Sequence, residues 1–191
     1  MLEKIYDTHQ KDLKYLDKSQ PKVLVSFAGV PTSGKSKLAQ YLQTKYAATV
    51  LSNDKIRRYI DKLAPGTNWD DKQTLVHDYL GYFMQKMQDV SNGLVVLDFG
   101  IERKYDEVVG LAKQYNYQML LINFDITDDT LRERVNNLGE RSEAYKQELA
   151  RWITEHKAFI SSHQSDIELK ENSNYDQVDE QLNMLLNKDT K

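Results

Sequence analysis

The sequence predicts an α/β fold in three layers, with one sheet of about five parallel strands covered by helices on both faces. Short apolar runs alternate along the chain with stretches whose apolar residues recur at three- and four-residue steps. The gaps between runs are long enough for the helical crossovers that parallel strands require. The composition is that of an ordinary folded chain, with 40% hydrophobic and 29% charged residues and only eight Gly and three Pro among 191. It excludes collagen-like, Pro/Gly-rich disordered and coiled-coil architectures. A chain of this length buries roughly 70% of its unfolded surface, so residues 1–191 are expected to form a single domain without covalent staples. Cys is absent, which excludes disulfides, cysteine zinc sites and a cysteine nucleophile.

Leu2, Ile5, Tyr6, His9, Leu13 and Leu16 form the stripe of an amphipathic helix within residues 1–20, ending near Ser19 ahead of Pro21. Val23 to Ala28 reads as a buried strand bounded by Gly29 and Pro31. A helix over 34–46 carries Leu38, Ala39, Tyr41 and Leu42, followed by a strand at 49–52, a helix at 54–63 and a turn at Pro65-Gly66. The helix over 70–90 shows Leu75, Val76, Tyr79, Leu80, Phe83, Met84 and Met87 on one face, and Asn92-Gly93 closes it. Leu94 to Phe99 and Gln118 to Phe124 are the third and fourth strands, with a helix over about 103–115 between them. Helices over about 127–137 and 142–161, a weak strand at 166–169 and a last helix using Val178, Leu182, Leu185 and Leu186 complete the chain.

The formal net charge is −3, from 26 Lys and Arg against 29 Asp and Glu. Binders of long nucleic acid carry a basic excess, and this balance argues against one. The N-terminus has no apolar core of signal-peptide length, and runs such as Leu94 to Leu97 and Met119 to Ile122 fall far short of a membrane span. A soluble, cytoplasmic protein is expected, with no membrane association.

The strongest chemical signal is Gly29-Val30-Pro31-Thr32-Ser33-Gly34-Lys35-Ser36, a full match to G-x-x-x-x-G-K-[ST] set between an apolar strand and an amphipathic helix. Glycines there let consecutive backbone N–H groups converge on one anion, and the helix start adds partial positive charge. Lys35 suits the β- and γ-phosphates and the Ser36 hydroxyl suits Mg²⁺. A chance Gly-Pro turn would not sit in this context.

With this loop the chain resembles the nucleotide-kinase-like branch of P-loop proteins, the small ATP-binding kinases grouped with polynucleotide 5′-hydroxyl kinase, zeta toxin and chloramphenicol phosphotransferase. The likeness runs from about Lys22 to Lys157 and implies a P-loop NTPase fold with a short lid near 132–145. It implies ATP and Mg²⁺ as ligands, nucleotide contacts from Gly29 through Ser36 extended to Lys37, and transfer of the γ-phosphoryl group to an acceptor hydroxyl.

Three further segments carry the resemblance. In Ser52-Asn53-Asp54-Lys55-Ile56-Arg57 the family's Asp and an Arg three residues on match Asp54, expected to accept the hydroxyl proton, and Arg57, expected to hold the acceptor or its anionic group. The plainer role for Asp54 is to cap the helix that follows. Val95-Val96-Leu97-Asp98 resembles a Walker B element, which makes Asp98 a Mg²⁺ or acceptor ligand; the plainer role is an Asp that starts a loop. Glu102 and Arg103 follow where relatives place a substrate-facing residue, and Arg103 is carried as a substrate contact. Arg132, Arg134 and Arg141 resemble lid arginines, Arg132 on the nucleotide and Arg134 and Arg141 on the transferring group. The chain departs from many relatives by having Leu138 where a second lid Arg stands. An Arg-rich solvated helix with Glu133 and Glu140 as local partners is the bland alternative.

His9, His77, His156 and His163 lack metal-ligand spacing and read as structural or surface residues, with His77 placed near the expected acceptor pocket. Trp69 reads as an apolar anchor at the start of the long helix, with a place at the border of the acceptor site as the second reading. The competing function is an ATP-binding switch or stand-alone ATPase acting on a partner, though no N-K-x-D guanine signature accompanies the loop. The acceptor and any protein partner are not named by the sequence.

Overall fold

Val23–Ala28 forms β1, the central strand, because six consecutive buried residues can be satisfied only where both faces of a sheet are covered. The structure, a computed structural model, describes residues 1–11, 21–90 and 93–187. Leu2–Gln10 forms α1. Leu13, Leu16 and the expected helix end near Ser19 lie outside the described residues, as does Asn92 of the expected stop. The chain continues as α2 (Lys35–Tyr46), β2 (Thr49–Ser52), α3 (Asn53–Leu63), α4 (Trp69–Val90), β3 (Leu94–Gly100), α5 (Tyr105–Gln114) and β4 (Gln118–Asp125). It ends with α6 (Asp128–Asn136), a 3₁₀ turn at Gly139–Arg141, α7 (Ser142–Ser162), β5 (Ile167–Lys170) and α8 (Asp176–Leu186).

All five strands are parallel, in the order β2-β3-β1-β4-β5. Side chains alternate across β1. Val23, Val25 and Phe27 pack with Leu38 and Leu42 of α2 and Val178 and Leu182 of α8. Leu24 and Ala28 face the opposite layer, where Ile5, Ile56, Tyr79, Phe83, Val108 and Phe159 meet. Each fully buried Leu or Phe there contributes about 2 kcal/mol of apolar transfer.

Two features of this frame position the site. The register of β1 against β3 shifts between Val25 and Phe27, so Phe27 pairs with Gly100, and the Ile101 N–H donates to the Phe27 carbonyl at 2.9 Å. The chain leaving β3 is thereby drawn over the carboxyl end of β1. A third, smaller core joins Val30 of the loop after β1 to Leu131 and Val135 of α6 and Leu149 and Ile153 of α7. Trp69 departs from the sequence expectation: it is 62% exposed, and its ring carries the Arg57 guanidinium at 5.2 Å instead of entering the core.

Candidate active site

The loop from Gly29 to Ser36 joins β1 to α2 across the carboxyl edge of the sheet, the edge where open α/β folds bind ligands. Gly34 ends it at φ +118°, a conformation that L side chains rarely adopt. Gly29 is required for space, since a Cβ there would lie 2.8 Å from Ser33 Oγ and 3.0 Å from Phe124 Cβ. Within the loop the Ser33 N–H closes a turn onto the Val30 carbonyl at 3.0 Å.

Lys35 Nζ donates to the carbonyls of Gly29 and Val30, both at 2.7 Å, and to Ser33 Oγ at 3.2 Å. Burial within the loop lowers its pKa to about 8, against the opposing pull of Glu102 and Asp98. Ser36 Oγ donates to Asp98 Oδ1 at 2.8 Å. Burial raises the Asp98 pKa, only partly offset by the Ser36 hydrogen bond and the Lys35 charge. Asp98 stands inside β3, not at a loop start.

A cleft of about 550 Å³ extends from the loop between α3 and α7. Asp54 lines it from the first turn of α3. The N-cap of that helix is Ser52, and the bond Asp54 makes is to Arg57 Nη1 at 2.7 Å. Its side chain is 72% exposed. Arg57 also donates to Gln73 Oε1 at 3.2 Å. Across the cleft, Arg103 forms a forked pair with Glu155, with Nε 2.9 Å and Nη2 2.6 Å from Oε2.

The three arginines expected at a lid divide. Arg134 Nη1 donates to the carbonyls of Thr32 and Ser33 at 3.0 and 3.1 Å, so it braces the loop from α6. Arg141 lines the cleft from the 3₁₀ turn, and Lys37 lines it from α2. Arg132 is exposed and is not among the cleft-lining residues. Leu131 and Val135 are buried one turn apart, which turns Arg134 towards the loop and Arg132 outward.

Two residues that the sequence left without a role are built into the site. Glu102 Oε1 accepts the Gly29 N–H at 2.7 Å and lies 2.9 Å from His156 Nδ1. Both line the cleft. The other histidines keep structural surroundings: His9 meets the Tyr79 hydroxyl in the core, His163 stacks on Phe159, and His77 sits 3.0 Å from Lys104 Nζ.

Loop amides, an ammonium and a hydroxyl–carboxylate pair in one cradle fit a nucleotide triphosphate with Mg²⁺. Among the described residues no group of three or more His, Cys, Asp or Glu could hold a metal alone. The Ser36–Asp98 pair therefore suits a cation that takes most of its ligands from phosphate and water. Among the described residues no helix is long and apolar enough to cross a membrane.

A family model described as an AAA domain matches residues 24–159, most of the chain, and the protein belongs to that family. No curated protein matches it by sequence. Solved structures share its fold. An APS kinase of Mycobacterium tuberculosis, in complex with AMPPNP and APS, is 16% identical over 86% of this chain and 97% of its own, with a TM-score of 0.55. The shikimate kinase of Aquifex aeolicus is 14% identical over 85% and 94%, with a TM-score of 0.51. A chain from the PezAT toxin–antitoxin system of Streptococcus pneumoniae is 13% identical over 81% and 65%, with a TM-score of 0.55.

Proposed function

We propose that this member of the AAA-domain family is an ATP-dependent kinase that moves the γ-phosphoryl group to a hydroxyl of a small acceptor. The observation that carries the proposal is the placement of Asp54 in the same cleft as the phosphate loop, Lys35 and the Ser36–Asp98 pair. A loop alone would serve a switch or an ATPase as well. A carboxylate across the cleft, with room beside it, serves an acceptor.

Lys35 leaves the Gly29 and Val30 carbonyls to meet the β- and γ-phosphates, and the loop amides hold the same oxygens. Ser36 and Asp98 would hold Mg²⁺, which neutralises charge across the phosphates when bound. The acceptor oxygen forms a bond to the γ-phosphorus as the bond to the bridging β-oxygen breaks, ADP leaves, and the hydroxyl proton passes to Asp54. Arg57 keeps the carboxylate aimed and meets acidic groups on the acceptor. Arg141 approaches the transferring group from the lid, while Arg134 fixes the loop. Arg103 borders the acceptor space through its pair with Glu155. The acidic overall balance and the size of the cleft favour a small molecule or nucleotide-like acceptor, and the Cys-free chain suits the cytoplasm.

The test is transfer of radiolabelled γ-phosphate from ATP–Mg²⁺ to a panel of nucleosides, hexoses, inositols and amino alcohols. Wild-type protein is expected to label at least one compound, and Lys35→Ala none. ATP turnover that ignores every acceptor and rises with a protein partner would replace the kinase with a switch.

A further inference from the structure

Glu102 and His156 reach the cleft from separate elements, the turn after β3 and the middle of α7, and they meet below its surface. His156 is 8% exposed, and the Glu102 side chain is 13% exposed. Glu102 Oε1 already accepts the Gly29 N–H, so as a carboxylate it has no hydrogen to offer His156. In the neutral ring the Nδ1 of His156 then carries the hydrogen of the 2.9 Å contact, and Nε2 carries the lone pair. The ionised state of Glu102 has support of its own: burial pushes its pKa up, but hydrogen bonds from His156, Gly29 and its own backbone, with the Lys35 charge, bring it below the ordinary value.

The Nε2 atom has no hydrogen-bond partner among the described residues and is not sealed away from the cleft that the ring lines. Its charged neighbours are occupied elsewhere: Arg103 and Glu155 pair with each other, and Lys35 is turned into the loop. On a neutral, nearly buried ring held by Glu102 and lining the cleft, such a lone pair selects a hydrogen-bond donor. The reacting hydroxyl is claimed by Asp54 on the opposite wall.

We infer that Glu102 positions His156 so that its Nε2 reads a second hydrogen-bond donor on the acceptor, besides the hydroxyl that is phosphorylated. The acceptor class is then a compound with at least two donors, such as a sugar, a polyol or an amino alcohol. The inference rests on the kinase reading and specifies its substrate.

Two measurements test it. In protein labelled with [¹⁵N]histidine, nuclear magnetic resonance should find the hydrogen of neutral His156 on Nδ1 with Nε2 bare; a hydrogen on Nε2 overturns the inference. Each compound of the acceptor panel is then compared with a counterpart lacking one non-reacting hydroxyl or amine. Wild-type protein should lose at least tenfold in kcat/KM on the preferred counterpart. His156→Asn, which keeps a donor for Glu102 but lacks Nε2, should raise the acceptor KM about tenfold, leave the KM for ATP in place and erase the penalty for the missing donor. His156→Gln, whose longer amide reaches the Nε2 position, should recover part of the loss and serves if the Asn variant folds poorly. A penalty that persists in both variants overturns the inference and leaves the kinase intact. Transfer to no compound removes the kinase reading and this inference with it.

Discussion

The two ends of the cleft are made of different material. At the phosphate end the working groups are backbone amides and one ammonium, braced by Arg134, shaped by Gly29 and Gly34, and anchored through Val30 into the α6–α7 core. At the end proposed for the acceptor they are side chains on separate elements, among them a 72%-exposed Asp54 and the cleft-lining Arg141. The loop geometry is set by eight contiguous residues and, on the proposed reading, would serve any triphosphate. Side chains gathered from α3, the 3₁₀ turn and α7 can be exchanged singly, so on the proposed reading this end would set which hydroxyl is phosphorylated.

Variants at the two ends should therefore separate in their effects. The largest is expected at Asp54. Asp54→Asn should lower acceptor turnover by about 10² to 10⁴-fold, the range for loss of a general base, with affinity for AMPPNP–Mg²⁺ kept by calorimetry. Equal loss of both would break the division between the ends. Arg134→Ala should produce the opposite pattern: a loop without its brace binds nucleotide on the order of tenfold to a hundredfold more weakly, as loss of charge-assisted hydrogen bonds implies. A turnover defect at unchanged nucleotide affinity would move Arg134 to the transferring group.

How the residues come together decides how much of this was legible in the sequence. The phosphate loop lies in one stretch and its motif is complete there, whereas Asp54 and Arg57, one helical turn apart, were carried by the family resemblance. The strands were legible because buried parallel strands are short apolar runs, and even β5 appeared at Ile167 and Leu169, which face the core while Glu168 and Lys170 face outward. The Glu102–His156 pair was not legible. Gly29 and Glu102 are 73 residues apart and Glu102 and His156 are 54 apart, and only the register shift of β1 on β3 and the docking of α7 bring them together. Arg132 and Arg134 share a helix and a charge, and the phase of Leu131 and Val135 sends only Arg134 to the loop. Trp69 misled because apolar bulk suggests a core, whereas here the ring supports a guanidinium.

The pH dependence sharpens the contrast at the phosphate end. Lys35 in the nucleotide-free protein titrates at about 8, and bound phosphates favour its charged form. Binding then takes up a proton above that pH. AMPPNP affinity should be level through this group below pH 8 and should fall by up to about tenfold per unit above it. Affinity that rises above pH 8 would contradict the sign. The smallest effect is expected away from both ends. Asp179 of α8 accepts from the hydroxyls of Tyr41 and Tyr46 at 2.7 and 2.8 Å, so Tyr46→Phe should cost about 1 kcal/mol of unfolding free energy and leave transfer unchanged. A transfer defect in that variant would show that α8 communicates with the cleft.

The central claim is that backbone and Lys35 together hold a triphosphate. Calorimetric titration of AMPPNP–Mg²⁺ into wild-type and Lys35→Ala protein at pH 7 tests it most directly. One saturable site in the wild type, weakened at least tenfold by the substitution, is the predicted result. Well-folded wild-type protein that takes up no nucleotide, or a substitution without effect, would contradict it.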